Sequence, residues 1–370
     1  MIILITYQYF LPAYKAGGPI QSISNTSKLL SGLPGVQTYI LCSNRDLDGS
    51  VLDVKTNQWI EYSPGVKVYY NSNPSNSIIL KVIDGVKPDV IFINGLYSVP
   101  YTVYPLLYNG GRKILSVRGM LHPGALSQKT MKKRIFLTAF KALGLHKKCE
   151  YHATTDEEVK YIQAVLGNRQ KVWMVPNLPN VSAYQAAIEK PGDEVKLISV
   201  SLISPMKNIL LTLQALKNCK GSITYHIYGP VKDSSYWEEC KKYMQTLPAN
   251  VTVAYKGEVL PHMVEDVLKQ YHYFILPSKS ENFGHAIYEA LSAGKPVITS
   301  HNTPWNGLER ANAGYNVNPE NKEEFTTLLD ELVMVSGDEY KEATIAAREY
   351  ILHQYDIDNI NGLYKQMFSL

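Results

Sequence analysis

The chemistry in this chain of 370 residues concentrates between residues 276 and 298. They read Leu-Pro-Ser-Lys-Ser-Glu-Asn-Phe-Gly-His-Ala-Ile-Tyr-Glu-Ala-Leu-Ser-Ala-Gly-Lys-Pro-Val-Ile. The pattern predicts a strand ending at Pro277, a loop holding Glu281, Asn282, Phe283 and Gly284, and a helix over 285–293. Gly294 suits the left-handed position that closes such a helix. A loop that opens a helix offers outward-pointing amides and the positive end of the helix dipole, which suit an anion. Gly284 lets the backbone approach a ligand closely. Glu281 and Glu289 place one carboxylate in the loop and one about a turn into the helix. Carboxylates accept paired hydrogen bonds from sugar hydroxyls, so the pair fits a polyhydroxyl ligand.

Three further clusters bear chemistry. Residues 201–208, Ser-Leu-Ile-Ser-Pro-Met-Lys-Asn, follow a predicted strand and carry Lys207 and Asn208 ahead of a helix. Gly17 and Gly18 form a pair in the first strand-to-helix loop, where missing side chains permit tight approach to a phosphate or sugar, although a plain turn reads equally well. Residues 116–123, Ser-Val-Arg-Gly-Met-Leu-His-Pro, bring Arg118 and His122 to the end of another strand. The dinucleotide fingerprint G-x-G-x-x-G is absent from the sequence, which disfavours hydride transfer.

Strands and helices alternate along the chain and must position these loops. Apolar runs at 2–7, 37–42, 90–93 and 113–117 read as strands, with a helix near 20–30. A second series follows at 195–200, 222–228, 251–255, 273–276 and 296–299. Alternating β and α at this spacing implies parallel sheets covered by helices. Prolines, asparagines and glycine around 180–193 predict a hinge. The division expected is 1–180, a linker at 181–192, a second domain at 193–350 and a terminal helix at 351–370. Ile357, Ile360, Leu363, Tyr364 and Met367 stand at helical spacing in that last segment.

Composition removes several classes. The net charge of +4 conceals a basic half, +10 over residues 1–190, and an acidic half, −6 over residues 191–370. A protein coating nucleic acid would not divide its charge in this way. Cys42, Cys149, Cys219 and Cys240 form neither a C-x-x-C pair nor a zinc-spaced cluster, so buried reduced thiols are expected. No apolar run is long enough to span a bilayer, and residues 1–7 lack the basic start of a signal peptide.

The 276–298 stretch resembles the signature of retaining glycosyltransferases of the GT-B fold, glycosyltransferase family 4. That pattern has Pro-Ser, two glutamates with seven residues between them, Phe-Gly after the first, and Gly-x-Pro-Val-Ile. The resemblance runs on through 311–314 and covers most of the chain more loosely. It implies an α/β fold of two Rossmann-like domains with parallel sheets facing across a cleft, and a terminal helix returning to the first domain. It implies that Glu281 contacts the donor sugar and Glu289 the ribose hydroxyls. Asn282 and the amides of Phe283, Gly284, His285 and Ala286 would cradle the sugar or diphosphate.

The 201–208 stretch resembles the family's Gly-Arg-Leu-x-x-x-Lys-Asn segment, with Lys207 kept and Leu202 where the arginine is expected. A point charge therefore replaces bidentate chelation. Gly17 and Gly18 resemble the family's first loop, and Arg118 stands where many members carry a histidine near the reacting sugar. Lys207, Glu281 and Arg118 are thus expected to carry the reaction, Gly17, Gly18 and Asn208 to assist the donor, and His122 to touch acceptor or sugar. No metal or cofactor is expected, since no D-x-D-like site stands out. The substrates implied are a nucleotide-diphosphate sugar and a glycan or lipid-linked glycan, in cell-surface polysaccharide synthesis. A sugar-nucleotide epimerase of the same fold, or a catalytically idle binding protein, shares these features.

Lys129, Lys132, Lys133, Arg134, Lys141, Lys147 and Lys148 interleave with apolar residues across 129–148. Such a helix suits either an anionic membrane surface or a solvated face over a core. Cytoplasmic location, peripheral on the inner membrane face, follows as the expectation, with no nucleic-acid partner. Of the 27 tyrosines, Tyr7, Tyr9 and Tyr14 flank the first loop, and Tyr97 and Tyr101 follow the 90–93 strand; aromatic faces there suit sugar stacking.

Overall fold

A computed structural model describes residues 1–127 and 130–370. Lys129, the first cation of the basic stretch, lies outside the described residues. The chain divides into two compact units, one of residues 1–178 with 357–370 and one of residues 179–356.

The first unit is built on eight strands: β1 (Ile2–Thr6), β2 (Gln37–Ser43), β3 (Trp59–Ser63), β4 (Val66–Asn71), β5 (Val90–Asn94), β6 (Arg112–Ser116), β7 (Glu150–Ala153) and β8 (Val172–Met174). Their order across the sheet is β3-β4-β2-β1-β5-β6-β7-β8. All neighbours pair in parallel except β3 with β4, an antiparallel edge that the sequence reading did not anticipate. β5 reads Val-Ile-Phe-Ile-Asn and every residue is buried, as a central parallel strand with both faces covered requires. The helix Gly18–Ser31 buries Ile20, Ile23 and Leu30 and exposes its polar side. The terminal helix Ile357–Phe368 buries Ile360, Tyr364, Met367 and Phe368. Phe368 meets Phe92 of β5 edge-on with ring centroids 5.3 Å apart, which fixes the helix to this unit.

The second unit holds β9 (Glu194–Val200), β10 (Ser222–Tyr228), β11 (Val251–Tyr255), β12 (Tyr273–Leu276), β13 (Val297–Ser300) and β14 (Gly314–Val317). They form a wholly parallel sheet in the order β11-β10-β9-β12-β13-β14. One face buries Val195, Leu197, Tyr225 and Ile275 against Leu213, Leu216, Leu329 and Leu332 of the covering helices.

The unit boundaries differ from those expected. Residues 181–192 are stitched to the second unit rather than hanging free. The buried Lys190 amine donates to the carbonyls of Pro191, Glu194, Val333 and Val335, and the Gln185 amide donates to the Glu265 carbonyl. Four carbonyl acceptors satisfy a cation that burial would otherwise leave desolvated. The helix Gly337–Gln354 also stays in the second unit, so only 357–370 joins the first.

Candidate functional site

β9 and β12 are neighbours in the second sheet, Tyr273 lying opposite Leu197. The loops that leave their carboxyl ends therefore emerge side by side, the usual place for a ligand in a parallel sheet. The first loop carries Lys207 and the second carries Glu281. A backbone bond from the Lys279 amide to the Met206 carbonyl, 2.8 Å, joins them. The start of the first loop packs closely against Gly229 after β10: a Cβ there would stand 2.0 Å from the Ser201 carbonyl oxygen.

The Lys207 ammonium donates to Oε1 of Glu281. Their side chains are 21% and 10% exposed, so the pair is largely withdrawn from water. The buried Ser278 hydroxyl donates to the same carboxylate oxygen at 2.7 Å. Ser278 was missed as a site residue, although it belongs to the Pro-Ser of the motif. One oxygen of Glu281 accepts two bonds, and the ammonium has further N–H groups for an anion.

The helix predicted over 285–293 runs from His285 to Ser292, with Gly284 as its N-cap at φ 79° and Gly294 beyond its end at φ 82°. A left-handed N-cap places the amides at the start of the helix beside Glu281, as anion recognition at a helix start demands. Asn208 caps the helix Ile209–Leu216, also from the left-handed region, and Asn282 is exposed at the loop tip. Phe283 is buried beneath that loop. Its ring lies 4.7 Å from His285, 5.2 Å from Trp305 and 5.2 Å from Tyr355. The Trp305 indole N–H donates to the Phe283 carbonyl at 2.5 Å. Trp305 and Tyr355 are supporting residues that the motif does not contain.

Glu289 stands half-buried on the same helix, one turn past Ala286. Burial, with the Glu265 carboxylate as a smaller contribution, pushes its carboxyl from 4.5 up to about 7. Among the described residues no side chain donates a hydrogen bond to its carboxyl. Among the described residues no three His, Cys, Asp or Glu side chains gather as a metal site.

Residues 180–350 match the family described as Glycosyl transferases group 1. The second unit thus carries a glycosyl transferases group 1 domain. No curated protein sequence matches it. Among solved structures, a sucrose-phosphate synthase from Thermosynechococcus elongatus superposes with a TM-score of 0.73 at 15% identity, covering 100% of this chain and 99% of that one. HepE from Anabaena, in complex with UDP-glucose, superposes at 0.70 with 17% identity, covering 100% and 99%. WaaG, a glycosyltransferase involved in lipopolysaccharide biosynthesis, superposes at 0.68 with 13% identity, covering 99% of each chain. These likenesses carry the fold, which is GT-B.

The remaining expected residues lie in the first unit, outside the matched domain. Gly17, at φ 80°, caps the helix Gly18–Ser31, and Gly18 is exposed at its start. Arg118 follows β6 and donates to Asn94 and Asn177. His122 turns out to be a helix cap: its Nδ1 accepts the Gly124 amide at 3.0 Å, and its ring meets Tyr161 edge-on. One of its two ring nitrogens is thus committed to the backbone.

The basic stretch forms the helix Thr130–Ala142, which buries only Phe140. Lys132, Arg134, Lys141, Lys147 and Lys148 are exposed. Lys133 departs from the expected face: its ammonium bonds the Ala125 carbonyl and lies 5.5 Å over the Tyr97 ring. Met131 and Ile135 on this helix and Leu143 just past its end are 77%, 64% and 69% exposed. Among the described residues no helix is long and apolar enough to cross a membrane.

Proposed function

We propose that the chain moves a sugar, with retention at the anomeric carbon and without a metal, from a nucleotide-diphosphate sugar to a hydroxyl of a glycan or lipid-linked glycan in cell-surface polysaccharide synthesis. The observation that carries this reading is the Lys207–Glu281 pair beside the start of the helix His285–Ser292. Lys207 exchanges its bond to Glu281 for the leaving diphosphate, whose charge the helix amides share. Glu281, freed of the ammonium, accepts hydroxyls of the donor sugar. Leaving-group departure and attack by the acceptor on the same face pass through an oxocarbenium-like state, so orientation and charge stabilisation supply most of the catalysis. Glu289 accepts the ribose hydroxyls. UDP-sugars are the first donors to try, because HepE holds UDP-glucose.

The test is a thermal-shift series with UDP-, GDP-, ADP- and TDP-glucose on the full chain. One donor raises the melting temperature, about 2.7 kcal/mol of stabilisation being expected at a hundredfold excess over Kd. The effect depends on pH with a definite sign. Glu289 holds its proton more tightly folded than unfolded, so the unliganded protein loses stability as pH rises from 4.5 to about 7. A carboxylate accepting ribose hydroxyls must be ionised, so the donor's stabilising effect grows through the same interval. Glu289→Gln flattens that dependence. A flat response to every donor at pH 8 would sink the reading, and conversion of the donor with no acceptor present would make the chain an epimerase.

The acceptor is met at an anionic membrane surface on the cytoplasmic side. Exposed Met131, Ile135 and Leu143 beside Lys132, Arg134 and Lys141 support this, since apolar insertion and cationic attraction reinforce each other. At roughly 1 kcal/mol per cation near the surface, exchanging those three cations for glutamate lowers binding to phosphatidylserine vesicles by about a hundredfold or more. The donor thermal shift stays as before. Unchanged vesicle flotation of the triple variant removes the membrane from the reading.

A further inference from the structure

Arg118 has no direct ion-pair partner among the described residues and sits in a strained loop, and both facts call for an explanation. Its backbone sits at φ 52°, in the left-handed region that a long side chain rarely adopts. Gly119 follows at φ 70°, and its amide is held by Oε1 of the buried Glu158 at 2.5 Å. The other oxygen of Glu158 accepts the Thr154 amide and hydroxyl at 2.6 and 2.9 Å. Glu158 therefore attracts the guanidinium through space, while its oxygens bond the Gly119 amide and Thr154 rather than the guanidinium. Strain of this kind persists where the surroundings enforce it, and such positions cluster at functional sites.

The guanidinium itself is held by neutral groups. Nε and Nη2 donate to Oδ1 of Asn94 at 3.0 and 2.8 Å, and Nη1 donates to Oδ1 of Asn177 at 2.9 Å. The Phe92 ring lies 6.0 Å beneath it. Two of its five N–H groups keep no acceptor among the described residues, and no carboxylate there lies within ion-pair distance. A half-buried cation hydrogen-bonded to amide oxygens and not to a carboxylate is oriented and keeps donors for an anion. It stands at the carboxyl ends of β5 and β6. β1, whose following loop carries Gly17 and Gly18, is the next strand beyond β5. That end of a parallel sheet is where ligands bind.

We propose that Arg118 is the receptor for an oxyanion of the acceptor, so that the acceptor is a saccharide bearing a phosphate or carboxylate. The two open N–H groups, one on each terminal nitrogen of the planar guanidinium, suit such an oxyanion. Asn94 and Asn177 are positioning residues, and the left-handed turn aims the fork. The inference rests on the glycosyl-transfer reading for the word acceptor alone.

Titration calorimetry on the full chain tests it, with glucose 1-phosphate and glucuronate as anionic probes and glucose as the neutral one. The nucleoside diphosphate of the sugar nucleotide that stabilises best in the donor screen is titrated in parallel. One of the anionic probes binds the wild type and glucose does not. Arg118→Lys, which keeps the charge and loses the fork, and Arg118→Met weaken the anionic probe at least tenfold and leave the nucleotide Kd unchanged. The nucleotide arm also certifies that each variant is folded. A nucleotide Kd weakened tenfold would assign the oxyanion to the donor. Anionic probes that bind the variants as well as the wild type, or that bind none of the proteins, would make Arg118 a purely structural residue. Failure of the nucleotide to bind the wild type would instead fall on the donor assignment, leaving the two anionic arms to judge Arg118.

Discussion

Lys207→Ala lowers turnover with the true donor by about 10²–10³-fold, the usual loss when one donor to a developing negative charge is removed from a preorganised site. The expected effect is on kcat more than on KM. In the free protein the ammonium rests on Glu281; the donor's diphosphate already carries about two negative charges, and the further charge that develops as the glycosidic bond breaks strengthens the contact most in the transition state. Glu281→Ala also lowers turnover strongly, since it removes the sugar-hydroxyl acceptor and leaves Lys207 without its resting partner. Because the residues act as one unit, the double variant loses far less than the two single losses multiplied together. Lys207→Arg keeps a charge and recovers part of the rate, since the position is a point-charge site whose loop was set for an ammonium. Rate measurements under saturating donor decide the matter. Either alanine variant turning over like the wild type would break the assignment of the pair.

The legibility of this site follows the range of the interactions that build it. The loop, the helix start and Gly294 were readable because strand, left-handed cap and helix are neighbours in sequence. The alternation of strands and helices was readable for the same reason, each run declaring its own period. The antiparallel edge strand β3 escaped, because Trp-Ile-Glu-Tyr-Ser is half exposed and gives no apolar run. The 181–192 stretch looked like a linker by composition, and nothing local reveals that the Lys190 amine is met by carbonyls from Val333 and Val335. Lys133 counted as one more surface cation until the Ala125 carbonyl and Tyr97 ring gathered it inward. Arg118 was visible as a residue with chemistry. Its defining property, a guanidinium that among the described residues hydrogen-bonds to Asn94 and Asn177 and to no carboxylate, needs groups 24 and 59 positions away.

Trp305→Ala unfolds the second unit early and carries the donor site with it. Trp305 is 4% exposed and packs against Phe283, Tyr288 and Tyr355 at centroid distances of 5.2, 5.8 and 5.9 Å. Its indole N–H is the partner of the Phe283 carbonyl, and it lies against Gly284, where a Cβ would stand 3.4 Å from Nε1. Truncation removes the largest ring of that cluster, and a buried aromatic replaced by alanine costs about 3–5 kcal/mol. For a unit of this size that corresponds to a melting temperature lower by roughly 6–20 °C. Trp305→Phe separates packing from hydrogen bonding. It refills most of the volume but orphans the carbonyl at about 1–3 kcal/mol, so its melting temperature falls between the other two. The chemical consequence is larger than the thermal one at temperatures where the variants remain folded. The Phe283 carbonyl and Gly284 set the direction of the first helix amides, and a displacement of about 1 Å at a positioned site costs around 10²-fold in rate. Donor Kd and kcat therefore worsen in both variants, and more in alanine than in phenylalanine. If Trp305→Ala melted with the wild type, or kept its kcat while melting lower, the indole would be a core residue with no hold on the loop.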